Sequence, residues 1–582
     1  MRLGEYLLAY DQAQDGLVQF SNDKSLQYYA VLALARIGAT DQALRRYKEY
    51  SLGEEDKVDS AALAARLVKD MALVAPKQDK PMLFLEAAQL YEKIYLHTNA
   101  SDFYPAINAS TTYYLAGEKD KSKRLAKETL ALCDKSPENY WRYASEAEAY
   151  LLLGDSENAT IALGNANKVC NNDLAAVAAT KKQLSLISSD LAVLNTLRLP
   201  GIIHFAGHII SPTDDEGRFP ANVESRIADE IAQSLEQLNV GIGYGSLASG
   251  ADILFAEAIL ARGGEIHITL PFELEQFKTV SVACSGSNWV ERFDHCWEQA
   301  TSHSFTSEEL YHGDDTLFSY CSLYAMGRAC LRQQQLNAPL SQIVVWDEET
   351  TNATAGTYRD RETWIKLGHD CHVISLASAS KKERSKTLEV EDKAPKKSNK
   401  SLHSILFGDI KGFAKIPDAK LPLFVSHVMG CLADVLEELQ VKGTPNPVLM
   451  ANTWGDGVFM VFEDVEIAAK CSIAMQYALK HLDFEKFDFG GNIELRLGLH
   501  FGPIYNVIDP VTKRNNFLGE HVTRAARIEP ITPPGEVYVT ESFAAQLALI
   551  DSHQYEAEYV GYMPMAKNYG DLRMYLLKES TV

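Results

Sequence analysis

The hydrophobic period of this chain changes at Pro200, so no all-helical fold accommodates both sides of it. Upstream, Ala, Leu, Tyr and Lys recur at helical spacing and β-branched runs are few. Downstream, "GIIHFAG" reads as a buried strand and "VESRIADEIAQSLEQLN" as an amphipathic helix. "VGIGYGSLASGADILFAEAILARGG" is a strand, a Gly/Ser turn and a helix. "EIHITLPF", "QIVVWD" and "CHVISL" are further strands, with the helical "TYRDRETWIKLG" between the last two. Strands alternating with helices predict a parallel, doubly wound sheet over residues 198–377. Residues 378–400, "SASKKERSKTLEVEDKAPKKSNK", offer almost nothing to bury and read as a charged linker. A third pattern of strands and helices runs over residues 401–578.

Within residues 1–195 a helix, a glycine turn and a second helix recur. "LQYYAVLALARIGATDQALRRYKEY" shows the plan, and the stretches around Gly117 and Gly154 repeat it. Small residues such as Ala43 and Ala159 follow in the second helix. This spacing resembles tetratricopeptide-like repeats in a degenerate array, which implies a possible protein partner; a plain helical bundle is the other reading.

The formal net charge of −22 over 582 residues argues against a general affinity for DNA or RNA, which needs a basic face. No uninterrupted apolar run is long enough for a transmembrane helix, and "MRLGEYLLAYDQAQDG" lacks a signal-peptide pattern. The nine cysteines form no CxxC pair, and Cys321 and Cys330 fall in one helix. A cytoplasmic protein without structural zinc is the expectation.

The chemistry concentrates beyond Ser401. "SLHSILFGDIKGF" places Asp409 at the end of an apolar strand. A buried, unpaired carboxylate costs several kcal/mol, and the strand itself offers no cation. A metal ion is one candidate partner. In "VLMANTWGDGVFMVF" two apolar strands meet at Gly455-Asp456-Gly457, which predicts a hairpin with Asp456 at its tip. Carboxylates on adjacent strand ends can hold two divalent cations, as phosphoryl-transfer sites do. The turn through Gly412 and Phe413 into the following helix would offer backbone N–H groups to phosphate.

The order strand–Asp–Ile–x–Gly–Phe, helix, Gly-Asp hairpin, helix and "LRLGLHFGPI" resembles the catalytic domain of class III nucleotidyl cyclases. "NFLGEHVTRAARIEPITPPGEVYVTESF" and "AKNYGDLRMY" extend the likeness over residues 401–578. The resemblance implies an α+β, ferredoxin-like domain using two divalent cations, Mg2+ or Mn2+. It implies that Asp409, Asp456 and the Ile410 backbone hold metal. Arg527 would stabilise charge on the α-phosphate, and Lys567 would grip the terminal phosphates. The family's base-reading positions fall on Asn452 and Asn516, which dictate no purine because an amide both donates and accepts. Its transition-state Asn falls on Thr523, a shorter donor. The family builds each site from two subunits, so a homodimer is implied.

In the middle region, Gly245, Ser246, Ser249, Gly250 and Asp252 lie between a strand and a helix. The turn resembles that of the Rossmann-like SLOG group, which implies a nucleotide-like effector; a purely structural turn is the alternative. His208 ends the neighbouring strand, and His204 reads as a core histidine. The expectation is a multidomain signalling enzyme: all-α repeats, a Rossmann-like α/β domain, then a cyclase making cyclic AMP from ATP. GTP or a pyrimidine nucleotide is the alternative substrate. A non-catalytic nucleotide receptor, using the last domain only to dimerise, is the rival of another class.

Overall fold

The structure is a computed structural model describing residues 1–54, 57–212, 217–376, 400–440, 445–487, 489 and 493–580. The predicted linker therefore lies, apart from Lys400, outside the described residues.

From Tyr6 to Leu194 the chain is helical. Gly38, Gly117 and Gly154 each follow a helix with φ between 85° and 88°, a left-handed geometry that costs glycine nothing. Asp155 comes at once after Gly154 and caps the next helix, accepting from the Asn158 amide. Ala43 and Ala159 are fully buried, as close helix pairing requires.

Six parallel strands follow: β1 (Gly201–Gly207), β2 (Val240–Gly245), β3 (Glu265–Leu270), β4 (Ser302–Phe305), β5 (Leu340–Trp346) and β6 (Cys371–Ser375). Their order is β4-β3-β2-β1-β5-β6, so the winding reverses between β1 and β5. The Thr316–Leu336 helix packs on this sheet and also faces the last part of the chain.

The last sheet holds β7 (Lys400–Lys411), β8 (Val448–Trp454), β9 (Gly457–Phe462), β10 (Glu494–Ile508), β11 (Asn515–Leu518), β12 (Val537–Thr540), β13 (Tyr555–Pro564) and β14 (Asp571–Glu579). The order is β13-β14-β12-β10-β7-β9-β8, with β11 on the far part of β10; only β10 and β12 pair in parallel. β7 is central and buries Ile405, Leu406 and Ile410. Each such side chain contributes about 1.5–3 kcal/mol on burial.

Among the described residues one helix, Asp418–Leu439, is long and apolar enough to cross a membrane, with mean hydropathy 1.4. Pro422, His427 and Asp434 interrupt its apolar run in the sequence, but short turns and a π-helical segment, Phe424–Met429, join into one element.

The three parts are packed together. A Cβ on Gly327 would lie 2.2 Å from the Ala545 carbonyl oxygen, so the Thr316–Leu336 helix meets the Glu541–Leu549 helix backbone to backbone. The Tyr324 hydroxyl donates to Glu541 at 2.6 Å. From the N-terminal helices, Asp11 accepts from the Tyr559 hydroxyl at 2.6 Å, and the Gln42 amide donates to Glu558 at 2.8 Å.

Candidate active site

Asp409 stands on β7 opposite Arg496 of β10 and opposite Gly457 of β9. The Arg496 guanidinium reaches it at 2.5 Å and also pairs with Glu529 at 3.0 Å. The strand that carries Asp409 offers it no cation, and the neighbouring strand does. The partner lies on an antiparallel neighbour, and only the strand register brings the two together. Neither Arg496 nor Glu529 was picked out from the sequence; the signal was the charged pair "LR" and "IE" flanking otherwise apolar or site-bearing stretches.

Asp456 occupies the two-residue tip between β8 and β9, with Trp454 paired to Gly457. Its carbonyl accepts from the Ile410 amide at 3.2 Å, which ties the tip to the end of β7. Gly455 carries a φ of 67°, as the tight turn requires. Burial raises the Glu529 carboxyl; Arg496 pulls it down, while Asp409 and Asp456 push it up. Two carboxylates, Asp409 and Glu529, therefore share one guanidinium, and the Asp456 carboxylate acts on Glu529 through space, so the site is negative on balance. An all-oxygen donor set with that charge suits a hard divalent cation such as Mg2+ or Mn2+, so Asp409 and Asp456 fit the implied metal.

Gly412 turns the chain out of β7 with φ of 99°. The half-buried Arg527 follows the Glu520–Ala525 helix, its amide bonded to the Arg524 carbonyl at 3.0 Å. Its guanidinium takes no hydrogen bond or ion pair among the described residues. The exposed Lys567, at φ 60° between β13 and β14, is likewise unpaired among them, as is the Asn452 side chain on β8. Thr523 is exposed on the short helix. Asn516 on β11 donates to Asp509 at a long 3.5 Å.

The register divides these groups. Asp409 pairs with Arg496, whereas Asn516 pairs with Val507, eleven residues further along β10. At about 3.3 Å per residue that is roughly 35 Å. β14 pairs with β12 and β12 with β10, which puts the Lys567 turn beyond the level of His500, again away from Asp409. Asn452, through Phe459 and Phe407, lies level with Gly498, near the Asp409 end. One chain thus brings together Asp409, Ile410, Asp456 and Asn452, and holds Asn516 and Lys567 apart from them.

In the middle part the Gly245–Asp252 turn is largely satisfied by protein groups, one within it and two from neighbouring segments. The Ala248 amide donates to Asp252 at 3.1 Å, the Ser249 amide to Ser281 at 2.9 Å and the Ala251 amide to His208 at 3.3 Å. Burial pushes the Asp252 carboxyl up to about 7. Gly250, at φ 96°, sits so close to Ile210 that a Cβ would be 2.5 Å from its amide nitrogen. The Ser246 hydroxyl is buried without a partner among the described residues. Across the β1/β5 reversal, His208 meets Asp347 at 3.1 Å. His204 is a core residue between Gln342 and Trp364.

Comparison with known families agrees with this geometry. Residues 396–579 match the adenylate and guanylate cyclase catalytic domain, and residues 5–116 match the tetratricopeptide repeats-sensor family. The last part of the chain is thus a nucleotidyl cyclase catalytic domain, preceded at the N-terminus by tetratricopeptide-like sensor repeats. Among curated proteins, an adenylate cyclase of Podospora anserina is 28% identical over 120 residues, 18% of this chain and 6% of that protein. A putative serine/threonine-protein kinase/receptor of Acanthamoeba polyphaga mimivirus is 30% identical over 118 residues, 17% of this chain and 7% of that protein. The matches therefore span a small fraction of these relatives' length. Among solved structures, the guanylate cyclase domain of RhGC from Catenaria anguillulae, in complex with GTP, is 15% identical. It covers 31% of this chain and 97% of its own, with a TM-score of 0.26. The adenylyl cyclase CyaB of P. aeruginosa is 17% identical, with 31% and 95% coverage and a TM-score of 0.27.

Proposed function

We propose that this chain is a homodimeric class III nucleotidyl cyclase that converts ATP to 3′,5′-cyclic AMP and pyrophosphate. The observation that carries the reading is the division along β10: the carboxylates and Asn452 lie at one end, Asn516 and Lys567 at the other. A two-fold partner reversing that axis completes both sites. GTP and pyrimidine nucleotides remain alternatives, since Asn452 and Asn516 accept and donate alike.

Asp409, Asp456 and the Ile410 backbone would hold two divalent cations, which when bound supply Lewis acidity toward the ribose 3′-hydroxyl and the triphosphate. The residues do the rest. The 3′-oxygen attacks the α-phosphorus, its proton leaves to solvent, and the bond to pyrophosphate breaks. The Arg527 guanidinium, which pairs with no carboxylate among the described residues, takes up charge developing on the α-phosphoryl oxygens. Lys567 steadies the terminal phosphates, the Gly412–Phe413 turn offers amides to phosphate, and Thr523 donates one hydrogen bond. Arg496 holds Asp409 in place from the neighbouring strand.

The middle sheet reads as a SLOG-like effector domain. The reversal between β1 and β5 is where doubly wound sheets take ligands, and the unpartnered Ser246 hydroxyl lies near it. With the Ser249 amide and the Asp252 side chain so engaged and Gly250 packed against Ile210, an effector beside Gly245 would contact side chains more than turn amides.

Complementation tests the central reading. An Asp409→Asn chain and an Arg527→Ala chain are each inactive alone, and mixing them restores about one good site per heterodimer. No recovery, with heterodimers confirmed by native mass spectrometry, would refute the shared site.

A further inference from the structure

The loop between β4 and the Thr316–Leu336 helix, residues 306–315, belongs by sequence to the middle sheet, yet it grips the cyclase domain at two points. The Ser307 hydroxyl and the Glu308 amide both donate to one oxygen of Glu520, at 2.8 Å and 3.1 Å. Glu520 opens the short helix that leads through Thr523 to Arg527, and its other oxygen pairs with Arg524 one turn on. Arg524 is largely covered, and its carbonyl receives the Arg527 amide at 3.0 Å. At the second point, Glu309 and Asp314 pair with Lys400, which starts the strand that carries Asp409. Next along, Tyr320 donates to the Phe501 carbonyl at 2.9 Å and meets the His521 ring edge-on.

We propose that this loop sets the position of Arg527, with Glu520 as the positioning residue and Ser307 as its anchor outside the cyclase domain. The chain of contacts is continuous: Ser307 to Glu520, Glu520 to Arg524, Arg524 to the Arg527 backbone. Ser307 is buried, and the Glu520 carboxylate takes a charge-assisted bond from it, so the helix start has one well-defined seat. Charge stabilisation falls off steeply when a donor is misplaced by about 1 Å. The middle sheet is therefore a structural part of the active enzyme rather than a separate module reaching it through the 378–400 segment. This inference rests on the cyclase reading and on Arg527 acting at the transition state.

The test uses the full chain. Glu520→Gln should lower kcat about tenfold and Ser307→Ala about threefold, each with KM for the nucleoside triphosphate within about twofold of wild type. Such a split marks lost transition-state stabilisation. In a Glu520→Ala chain, where no acceptor remains for its hydroxyl, Ser307→Ala should add nothing. Mixing Glu520→Gln with Asp409→Asn should recover activity to the level of the Arg527→Ala plus Asp409→Asn mixture, because the Asp409→Asn chain brings an intact Glu520 beside its own Arg527. A merely destabilised chain would not complement in this way. The proposal is overturned if Glu520→Ala and Ser307→Ala act multiplicatively, if KM rises with kcat unchanged, or if Ser307→Ala, which removes a single hydroxyl, leaves kcat unchanged. It is also overturned if the Glu520→Gln mixture fails while the Arg527→Ala mixture recovers. Failure of both mixtures would refute the shared site, and the additivity of Glu520→Ala and Ser307→Ala would then decide the positioning role alone.

Discussion

Gly327→Ala is the substitution whose sign the structure decides. In the interior of an exposed helix, replacing Gly by Ala stabilises by about 0.5–1 kcal/mol. Gly327 is not exposed: its new Cβ would stand 2.2 Å from the Ala545 carbonyl oxygen, 2.4 Å from its carbon and 2.8 Å from its Cβ. Two of these atoms are backbone, so no rotamer relieves the contact, and the Thr316–Leu336 and Glu541–Leu549 helices must separate by about 1 Å. Overpacking of this kind costs about 1–3 kcal/mol, occasionally more. The overpacking outweighs the propensity gain, and the net loss is about 1–2 kcal/mol. Separation would also stretch the Tyr324–Glu541 hydrogen bond and move Tyr320 from Phe501. A urea titration of the full chain, followed by fluorescence and by activity, measures the shift. An unfolding midpoint equal to or above that of wild type would refute the backbone-to-backbone packing.

Three further outcomes follow from the sites. Asp409→Asn and Asp456→Asn should each abolish cyclic nucleotide formation in a chain with unchanged circular dichroism, and wild-type turnover by either would end their assignment as metal ligands. Arg496→Met removes the cation now seated on Asp409, so Mn2+ should bind about tenfold tighter by calorimetry while turnover falls; weaker Mn2+ binding would mean that Arg496 supports the metal instead. Burial pushes both Asp252 and Asp360 up to about 7 from 3.8, so the folded chain keeps protons that the unfolded chain releases. Their contribution is full below about pH 4 and is lost as pH rises through 7, on the order of a few kcal/mol. The double Asn variant should therefore have the flatter profile, with a higher unfolding temperature than wild type at pH 8, and a parallel pair of profiles would contradict this.

What could be read in the sequence was local. Gly38, Gly117 and Gly154 announced helix ends because a left-handed residue leaves a compositional mark. Gly455-Asp456 announced a two-residue hairpin for the same reason, and the structure places the tip there. The Arg496–Asp409 pair was invisible because 87 residues separate its members and only the β7/β10 register joins them. The seating of the Gly245–Asp252 turn was missed likewise: its amides are taken by His208 and Ser281, from other loops. The docking of the N-terminal helices on β13, through Asp11 with Tyr559 and Gln42 with Glu558, joins segments more than 500 residues apart and has no sequence period to betray it.

The most direct measurement incubates the purified chain with Mg2+ or Mn2+ and each common nucleoside triphosphate, and identifies products by mass spectrometry beside the Asp409→Asn chain. The account predicts a 3′,5′-cyclic monophosphate and an equal amount of pyrophosphate from the wild-type chain, with ATP preferred, and neither from the variant. A folded, dimeric wild-type chain that turns over no nucleotide would contradict it.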